Sequence, residues 1–386
     1  MKMNRRHTLK LLGATVAAAS APWATALAGR DKLRILVLGG TGFLGPAFVE
    51  AAREHGHTLT LFNRGKTAPD LFKGAEDVET LLGDRNGQLD SLKGRDWDVV
   101  VDNSGYVPRQ IKLSAELLAP HAKHYIFISS ISVYASFAKP NDEDSPVAKL
   151  ADPTVEQVTG ETYGGLKALC ETAATTAMGG RTTIIRPGLI VGPRDRTDRF
   201  TYWPARVAQG GEVLAPNSPQ DGAQWVDVRD LAAFVLRCAE GRVQGTFNAC
   251  SAPGQFTMGQ LLDSAKRVSG SDARFTWAST EFLSAQNVAP WSDMPVWIPA
   301  EGEEVAASLN STTRATAAGL RIRAIDDTVR ATLEWHRTRP EDQRQKLRAG
   351  LTAEREAAVL AAWHSKEKPQ ATTTGTTAPA EPPKRD

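Results

Sequence analysis

Cysteine is scarce in this sequence, and its scarcity excludes two classes of protein. The 386 residues include three cysteines, Cys170, Cys238 and Cys250, which are far apart and lie among apolar neighbours. Small domains held together by disulfides have a dense cysteine pattern, and structural zinc sites use closely spaced cysteine pairs. We therefore expect three buried thiols, no disulfide scaffold and no metal site.

The chain also lacks an excess of charge of either sign. Its 46 lysines and arginines nearly balance 44 aspartates and glutamates, which gives a formal net charge of +2. Lys2, Arg5, Arg6 and Lys10 lie in a leader without acids, and removal of that leader would leave about 2 − 4 = −2. A protein that binds nucleic acid through a basic face would have a strong positive excess. We predict no nucleic-acid partner.

Long hydrophobic runs are absent after the leader. Arg5 and Arg6 precede the mildly apolar run LLGATVAAASAPWATALA, whose last small residues, Ala26 and Ala28, form an A-x-A cleavage pattern. The paired arginines resemble a twin-arginine export signal over residues 1–28, with a general secretory signal or an uncleaved anchor as the alternatives. No later run reaches the roughly 18 apolar residues of a membrane span. The prediction is export by the twin-arginine machinery to the periplasm or the extracellular space, with no membrane span after cleavage.

The stretch from Leu33 to Gly45, LRILVLGGTGFLG, combines a strand, a tight turn and the start of a helix. Aliphatic residues interrupted only by Arg34 are typical of a strand buried on both faces of a parallel sheet. Gly39 would allow the turn, Gly42 would let a diphosphate approach the backbone, and Gly45 would let helix and strand pack closely. The helix N-terminus would then face the phosphates, although such glycine turns can also be simple corners.

The ends of the following strands bear on the choice of cofactor. The second strand ends in Asn63-Arg64-Gly65, where an acidic residue would bind the ribose of NAD. No acid is present, so Arg64 could meet the 2′-phosphate of NADP or be a surface residue beside a turn. Asp84, after the third strand, is placed either for an adenine amino group or for a turn. Asn103-Ser104-Gly105 follow the fourth strand and would lie along the cofactor.

Strands and helices alternate along most of the chain. After the first strand, the predicted strands of this part are Thr58 to Phe62, Val78 to Leu82, Trp97 to Asp102, His124 to Ser130 and Thr182 to Arg186. This rhythm indicates an α/β fold with a doubly wound parallel sheet, the Rossmann arrangement. We predict an NAD(P)-binding domain over residues 29–187. A smaller substrate-binding region would cover 188–340, with some strands and helices returning to the core.

Three segments outside that core have predictions of their own. Trp277, Trp291 and Trp297 would either close over a ligand or pack in a core. The acidic run Asp142-Glu143-Asp144 lies in a long loop and is predicted to be solvated. Residues 366–386, rich in threonine, proline and alanine, are predicted to be disordered.

Tyr163 and Lys167 lie four positions apart on a predicted helix, and therefore one turn apart on one face. A tyrosine with a pKa near 10 is a poor base at neutral pH. A lysine ammonium one turn away, together with a positive nicotinamide ring, would stabilise the phenolate. Ser130, at the predicted end of the fifth strand, could hydrogen-bond the reacting oxygen. Beside a dinucleotide, these residues predict hydride transfer between a carbinol and NAD(P).

Four pieces of the chain, GGTGFLG, FISSISVY, YGGLK and RPGLIVGP, resemble the extended short-chain dehydrogenase/reductase superfamily, in its NAD-dependent epimerase/dehydratase group. The resemblance covers about residues 33–339. It implies that Ser130 is the catalytic serine, with Ser129 and Ser132 as rivals. It also implies that Tyr163 is the general acid/base and Lys167 its electrostatic partner.

The predicted cofactor contacts combine the strand ends with the family pattern. They are Gly39, Gly42, Phe43, Leu44, Gly45, Asn63, Arg64, Asp84, Arg85, Ser104, Gly105, Tyr163, Lys167 and Pro187. Three features depart from the family pattern. The acid after the second strand is missing, which leaves NAD or NADP open. Ser104-Gly105 replace a small apolar pair, and the long serine-to-tyrosine loop leaves the substrate open.

Together these features predict an enzyme, a redox-neutral NAD(P)-dependent epimerase, isomerase or dehydratase acting on a sugar-like substrate through a transient ketone. NADP or NAD, with a lean to NADP from Arg64, would be tightly bound, because little free cofactor exists outside the cytoplasm. A net dehydrogenase or reductase is one alternative. A non-catalytic dinucleotide-bound protein is another, since the NRG and GDR turns resemble chloroplast stem-loop-binding proteins, some of which handle RNA. The fold commonly pairs through two helices, so a homodimer is expected.

Overall fold

The computed structural model describes residues 31–367, so the predicted export signal lies outside the described residues. This part of the chain forms two compact units. The first unit comprises residues 31–196, Gln224–Gln255 and Ala300–Ala324, and the second comprises Thr197–Ala223, Phe256–Pro299 and residues 325–367. None of the helices within 31–367 has the length and apolar character needed to cross a membrane. A substrate-binding role for residues 188–340 stays a prediction.

A seven-stranded parallel sheet forms the centre of the first unit. With elements numbered in chain order, its strands are β1 (Arg34–Leu38), β2 (Thr58–Asn63), β3 (Val78–Leu82), β4 (Trp97–Asp102), β5 (Ala122–Ile128), β6 (Thr182–Pro187) and β11 (Gly245–Ala249). Their order is β11-β6-β5-β4-β1-β2-β3, and all neighbours run parallel. The order reverses at β1, as in a doubly wound sheet. The predicted α/β Rossmann fold is confirmed.

Helices cover both faces of this sheet, which explains the uninterrupted aliphatic run of β1. The helices of the first unit are α1 (Leu44–Glu54), α2 (Pro108–Leu118), α3 (Gly160–Met178), α5 (Val228–Gly241) and α8 (Thr313–Ala317). Ile35 and Val37 pack in a core shared with α1 and α5. Leu36 and Leu38 enter a separate core shared with α2 and α3. The central strand is thus apolar on both faces because both faces are buried.

Shorter elements complete the two units. The first unit also contains β7 (Leu189–Val191) paired in parallel with β10 (Trp225–Asp227). In the second unit, β8 (Glu212–Pro216) pairs with β13 (Arg274–Ala278), and β9 (Gly222–Ala223) pairs with β12 (Phe256–Thr257). Its helices are α4 (Tyr202–Val207), α6 (Met258–Ser269), α7 (Thr280–Ala285), α9 (Ile325–Arg337), α10 (Glu341–Gln345) and α11 (Ala353–Glu367).

Several predictions differ from the structure. Strand β5 ends at Ile128, because Ser130 instead caps a short 3-10 turn, Ile131–Val133, by accepting the Ser132 N–H. Glu143 is buried rather than solvated, and its carboxylate accepts the N–H of Asn248 at 2.8 Å.

The segments after residue 255 also differ in detail from the predictions. Trp297 is fully buried, and its Nε1 donates to Asp221 at 2.6 Å, so this tryptophan packs in a core. Helix α11 continues through Glu367, two residues into the predicted tail. The rest of that tail lies outside the described residues.

Candidate active site

The turn between β1 and α1 has the backbone form that a diphosphate needs. Gly39 has a φ of +94°, which only glycine adopts readily. A Cβ added to Gly42 would meet no protein atom within 4 Å, so this side of the turn is open. A Cβ on Gly45 would lie 2.4 Å from the backbone of Gly40, so here the helix packs directly on the turn.

The N-terminus of α1 is free to receive an anion. Phe43, at its N-cap, makes no capping hydrogen bond with its side chain, and the first turn of the helix contains no acidic residue. The first N–H groups of a helix have no partner within the helix, and its dipole is positive at this end. A cradle without a Cβ at Gly42 and an uncapped helix end together fit a diphosphate.

A cavity of about 760 Å³ extends from this turn along the carboxyl ends of the strands, within the first unit. Ligands of doubly wound sheets bind at these strand ends. The predicted residues that line the cavity are Gly39, Gly42, Phe43, Leu44, Asn63, Arg64, Asp84, Arg85, Ser104, Tyr163 and Lys167. The side chains of Tyr163 and Lys167 therefore line the same cavity as the glycine turn.

Helix α3 holds Tyr163 and Lys167 one turn apart. Its first turn is closed by a capping box, in which the Thr159 side chain accepts the Thr162 N–H and the Thr162 side chain accepts the Thr159 N–H. A Cβ on Gly164 would lie 2.1 Å from the carbonyl oxygen of Ser132. Gly164, the first glycine of YGGLK, thus lets α3 pack directly against the backbone of Ser132. A glycine inside a helix pattern is the sequence signal for such a contact.

Lys167 is buried, and its ammonium is held by backbone oxygens. Its Nζ donates to the carbonyls of Gly105 at 2.9 Å and Ile128 at 2.7 Å, and lies 4.4 Å from the ring centroid of Phe127. Burial lowers the pKa of Lys167 to about 8, against partial compensation from Asp102 and other nearby groups. Lysine is cationic below its pKa, so the ammonium persists at neutral pH. Because an ammonium has three donors, one N–H is left for a further acceptor.

The three serines of FISSISVY occupy different places. Ser129 lines the cavity, is 3% exposed, and its Oγ has no hydrogen-bond partner among the described residues. Ser130 is not among the described residues that line this cavity. Its Oγ accepts the Ser132 N–H and donates to the Ser132 Oγ, each at 3.1 Å. Ser132 lines a second cavity.

This second cavity, of about 490 Å³, shares Tyr163 with the first. Its lining also includes Ser132, Tyr134, Phe137 and Thr159. Apart from the tyrosines, Glu161 is the one ionisable side chain among the described residues that line it. The wall therefore combines aromatic rings with hydroxyl groups. Tyr163 lies between this cavity and the one that contains the glycine turn.

Four predicted cofactor contacts have other surroundings. Gly45 and Gly105 are not among the described residues that line the cavity. Both are positions of close packing, since a Cβ on Gly105 would lie 2.1 Å from Ile111 and one on Gly45 would lie 2.4 Å from Gly40. Pro187 ends β6 and is likewise outside that lining. Arg85 does line the cavity, but it is buried and its guanidinium forms a bidentate pair with Asp102, at 2.6 and 2.7 Å. Its charge is therefore compensated within the core.

Asp84 and Arg64 lie toward the other end of the cavity. Asp84 Oδ1 accepts both the backbone and the side-chain N–H of Asn86, each at 2.9 Å, which is the turn arrangement. Contact of Asp84 with adenine stays a prediction. Arg64 and Lys66 line both the large cavity and an adjoining one of about 450 Å³. Among the described residues, neither cation has an ion-pair partner within salt-bridge distance.

Sequence reasoning missed several residues of the cavity. Asn103, whose Nδ2 has no partner among the described residues, belongs to a predicted strand end, whereas Tyr106, Arg109 and Glu156 are not among the predicted site residues. The signal for Tyr106 was available, because it directly follows Asn103-Ser104-Gly105 at a strand end. Arg109 and Glu156 are 47 positions apart and carry no such signal.

The three cysteines are buried and unpaired, as predicted. Burial raises the pKa of each thiol to about 12, which makes the thiolate scarce at neutral pH. His55, His57 and Glu240 form one cluster of potential metal ligands. However, Nδ1 of the buried His57 accepts the Leu33 N–H at 3.2 Å. This leaves the proton on Nε2, the atom that would have to bind the metal.

A family model covers more than half of the chain. Residues 35–250 match the family model described as the NAD dependent epimerase/dehydratase family. The chain belongs to this family. The family name specifies a nicotinamide dinucleotide, and the open glycine turn and the cavity fit such a cofactor.

Two curated proteins are similar to just over half of the chain. The chain is 29% identical over 221 residues to the chloroplast stem-loop binding protein of 41 kDa b of Arabidopsis thaliana, covering 53% of this chain and 55% of that protein. It is 27% identical over 231 residues to the epimerase family protein SDR39U1 of Bos taurus, covering 56% of this chain and 74% of that protein. The matched part thus spans about half of the first relative's length.

Solved structures share the fold. The WbmG enzyme of Bordetella bronchiseptica, solved with NAD and UDP, aligns with a TM-score of 0.57 at 18% identity, over 80% of this chain and 96% of that one. Human SDR39U1, solved with NADPH, aligns with a TM-score of 0.51 at 20% identity, over 78% of this chain and 99% of that one. At these identities the likeness is one of fold.

Proposed function

We propose that this protein is a redox-neutral epimerase, isomerase or dehydratase that acts on a sugar or sugar-like polyol. The observation that carries the proposal is the single cavity lined by the glycine turn, Tyr163 and Lys167. When bound there, a nicotinamide supplies the acceptor and then the donor of a hydride. The phosphates would rest on Gly39, Gly42 and the first turn of α1.

The side chains of this chain would move the proton and hold the oxygen. The Tyr163 phenolate takes the proton of a substrate hydroxyl and returns it at the end of the turnover. The Lys167 ammonium favours the phenolate, because a nearby positive charge stabilises an anion in a buried site. A serine hydroxyl donates to the oxygen of the transient ketone. An epimerase would reduce the ketone again before release, whereas a dehydratase would lose water and the hydride would return to the carbon that carried the departing hydroxyl group. In either case no net oxidation occurs.

The second cavity favours a substrate that places no phosphate against the N-terminus of α3. Aromatic rings and hydroxyl groups suit the apolar faces and polar edges of a sugar ring. An anion would otherwise be favoured at the N-terminus of α3, but Glu161 in its first turn already supplies a carboxylate there. A free sugar or a glycoside therefore fits this side of Tyr163 better than a sugar phosphate.

This proposal is tested by the molecule that copurifies and by its fate. We expect mass and absorbance spectra to identify a nicotinamide dinucleotide, and NMR to detect an isomerised or dehydrated sugar without lasting change in the absorbance of reduced nicotinamide. A lasting stoichiometric change would instead indicate a net dehydrogenase. Absence of both bound and bindable dinucleotide would refute the proposal.

We also propose that NADP is preferred to NAD. Replacement of Arg64 by alanine should weaken NADPH binding by about tenfold to a hundredfold, because a charge-assisted hydrogen bond to a phosphate contributes about 1.5–3 kcal/mol. Lys66→Ala should have a smaller effect, since lysine offers a point charge. Fluorescence titration with NADPH and NADH measures both affinities. NADH is the internal control, and an equal loss for both nucleotides would contradict the role of Arg64.

The roles of the serines can be separated by alanine variants. We propose that Ser130, linked to Ser132 on the substrate side of Tyr163, remains the catalytic serine, so that Ser130→Ala lowers kcat about a hundredfold. Ser129→Ala should instead raise the cofactor Kd about threefold to tenfold, because its buried hydroxyl faces the cofactor cavity. Thermal melting controls for the lost cap at Ser130, worth about 1 kcal/mol. The reverse pattern would assign catalysis to Ser129.

Export through the twin-arginine route is a further part of the proposal. It is supported by Arg5 and Arg6 before an apolar run with an A-x-A end. An exported enzyme would need a tightly held cofactor, which a redox-neutral reaction does not consume. Replacement of both arginines by lysine should retain the protein in the cytoplasm on cell fractionation, and unchanged export would exclude this route.

A further inference from the structure

Two exposed side chains, Arg109 and Glu156, form a bidentate ion pair at the rim of the large cavity. Arg109 Nε donates to Glu156 Oε1 and its terminal nitrogen donates to Glu156 Oε2, both at 2.7 Å. The side chains are 47% and 42% exposed, and both line the cavity. Side chains that line a cavity and also face solvent mark its mouth.

The pair joins segments that are far apart along the chain. Arg109 is in the first turn of α2, whereas Glu156 belongs to the irregular segment that leads into α3. The Arg109 guanidinium also donates to Asn86 Oδ1 at 3.2 Å, and Asn86 lies between β3 and β4. Gln110 donates to the same oxygen at 3.1 Å. All four residues line the cavity, so three separate segments are connected at its rim.

We propose that Arg109 and Glu156 are a clasp that must open before the dinucleotide enters or leaves the cavity. The proposal rests on the proposed function, because it assumes that a dinucleotide occupies this cavity. It identifies how this chain retains the cofactor that each turnover regenerates. The two residues do not take part in the chemistry.

A clasp differs from a direct cofactor contact in its kinetic signature. Loss of a direct contact increases the release rate and leaves association almost unchanged, so Kd rises. Loss of a clasp increases association and release together, because both pass through the same opening, and Kd changes little. Salt screens an exposed ion pair, so high salt should accelerate release from the wild type as the substitution does.

The chain offers a matched control. Arg95 and Glu79 form another exposed bidentate pair, with distances of 2.7 and 3.0 Å and exposures of 41% and 47%. Neither residue lines the large cavity. Glu79→Gln therefore reproduces the loss of an exposed arginine–glutamate pair without touching the rim.

The test measures NADPH association and release by stopped-flow fluorescence, with release followed after mixing the complex with excess NADP. We expect Glu156→Gln to increase both rates about threefold to fivefold, the range that an exposed ion pair supports. Kd should stay within twofold and the melting temperature should not change. Arg109→Glu with Glu156→Arg should restore slow exchange. Glu79→Gln should exchange like the wild type.

Three outcomes would overturn the clasp. Rates of Glu156→Gln equal to the wild type would remove its basis, and a rise in release alone would indicate a direct contact. An equal acceleration in Glu79→Gln would indicate a general effect of lost charge pairs. If the wild type binds no NADPH and no NADH, the proposed function fails with the clasp. If it binds and the variant exchanges normally, the clasp alone fails.

Discussion

Replacement of Tyr163 by phenylalanine is expected to lower kcat by about a hundredfold to ten-thousandfold, the usual contribution of a general acid/base. The change removes one hydroxyl group and keeps the ring of a residue that lines both cavities. Cofactor affinity should stay within about threefold of the wild type. The measurement combines turnover of a sugar accepted by the wild type with NADPH titration.

Tyr106 provides a matched control for this substitution. It lines the same cavity, is 48% exposed, and its ring centroid lies 5.4 Å from Lys167 Nζ. Desolvation raises the pKa of Tyr106, with a further contribution from Asp102, so its phenolate is disfavoured. Tyr106→Phe should reduce turnover by no more than about threefold, well under the 10²-fold minimum for a general base. Full turnover by Tyr163→Phe would exclude Tyr163 as the general acid/base.

Valine in place of Gly42 is expected to abolish dinucleotide binding without unfolding the protein. An added Cβ at this position meets no protein atom within 4 Å, but the side chain would occupy the place of a diphosphate. We expect at least a hundredfold loss of NADPH affinity, about 2.7 kcal/mol. Titration and thermal melting measure the two effects separately.

Gly45→Val is the matched substitution three residues away, and the opposite result is expected. Its Cβ would lie 2.4 Å from the carbonyl carbon and oxygen of Gly40, where backbone has to move. Overpacking of this kind costs about 3 kcal/mol or more, so the protein should melt at a lower temperature or fail to fold. Equal stability of the two variants would contradict the assigned roles of these glycines.

Local patterns allowed most of the fold to be predicted. β4 has the predicted bounds, Trp97–Asp102, because its continuous apolar residues reflect burial of the strand. β3 also has the predicted bounds, Val78–Leu82, although it is an edge strand whose residues are half-buried or exposed. The fifth strand was predicted two residues too late, over His124 to Ser130 instead of Ala122–Ile128, since Ser130 carries a capping hydrogen bond that competes with the ladder. The cap depends on one local side-chain contact and leaves no periodic signal.

The candidate site was predicted where its chemistry follows from spacing, and not where it depends on distant partners. Tyr163 and Lys167 share a helix face, so their proximity follows from the helical repeat. Arg85 also lines the cavity as predicted, but its pairing with Asp102 brings together two strand ends 17 positions apart. Which oxygen a guanidinium meets there depends on the register of the strands and on packing.

The amino-acid sequence by itself determined the strand–turn–helix of the glycine stretch, the parallel sheet and the four-residue separation of phenol and ammonium. These follow from backbone geometry and the local alternation of apolar residues, which act over a few positions. Tertiary structure alone decided that Ser129 faces the cofactor cavity, that Glu143 is buried, and that Arg109 meets Glu156. The physical reason is that these contacts depend on where separate segments come to lie once the sheet has been assembled, and no local period encodes that placement.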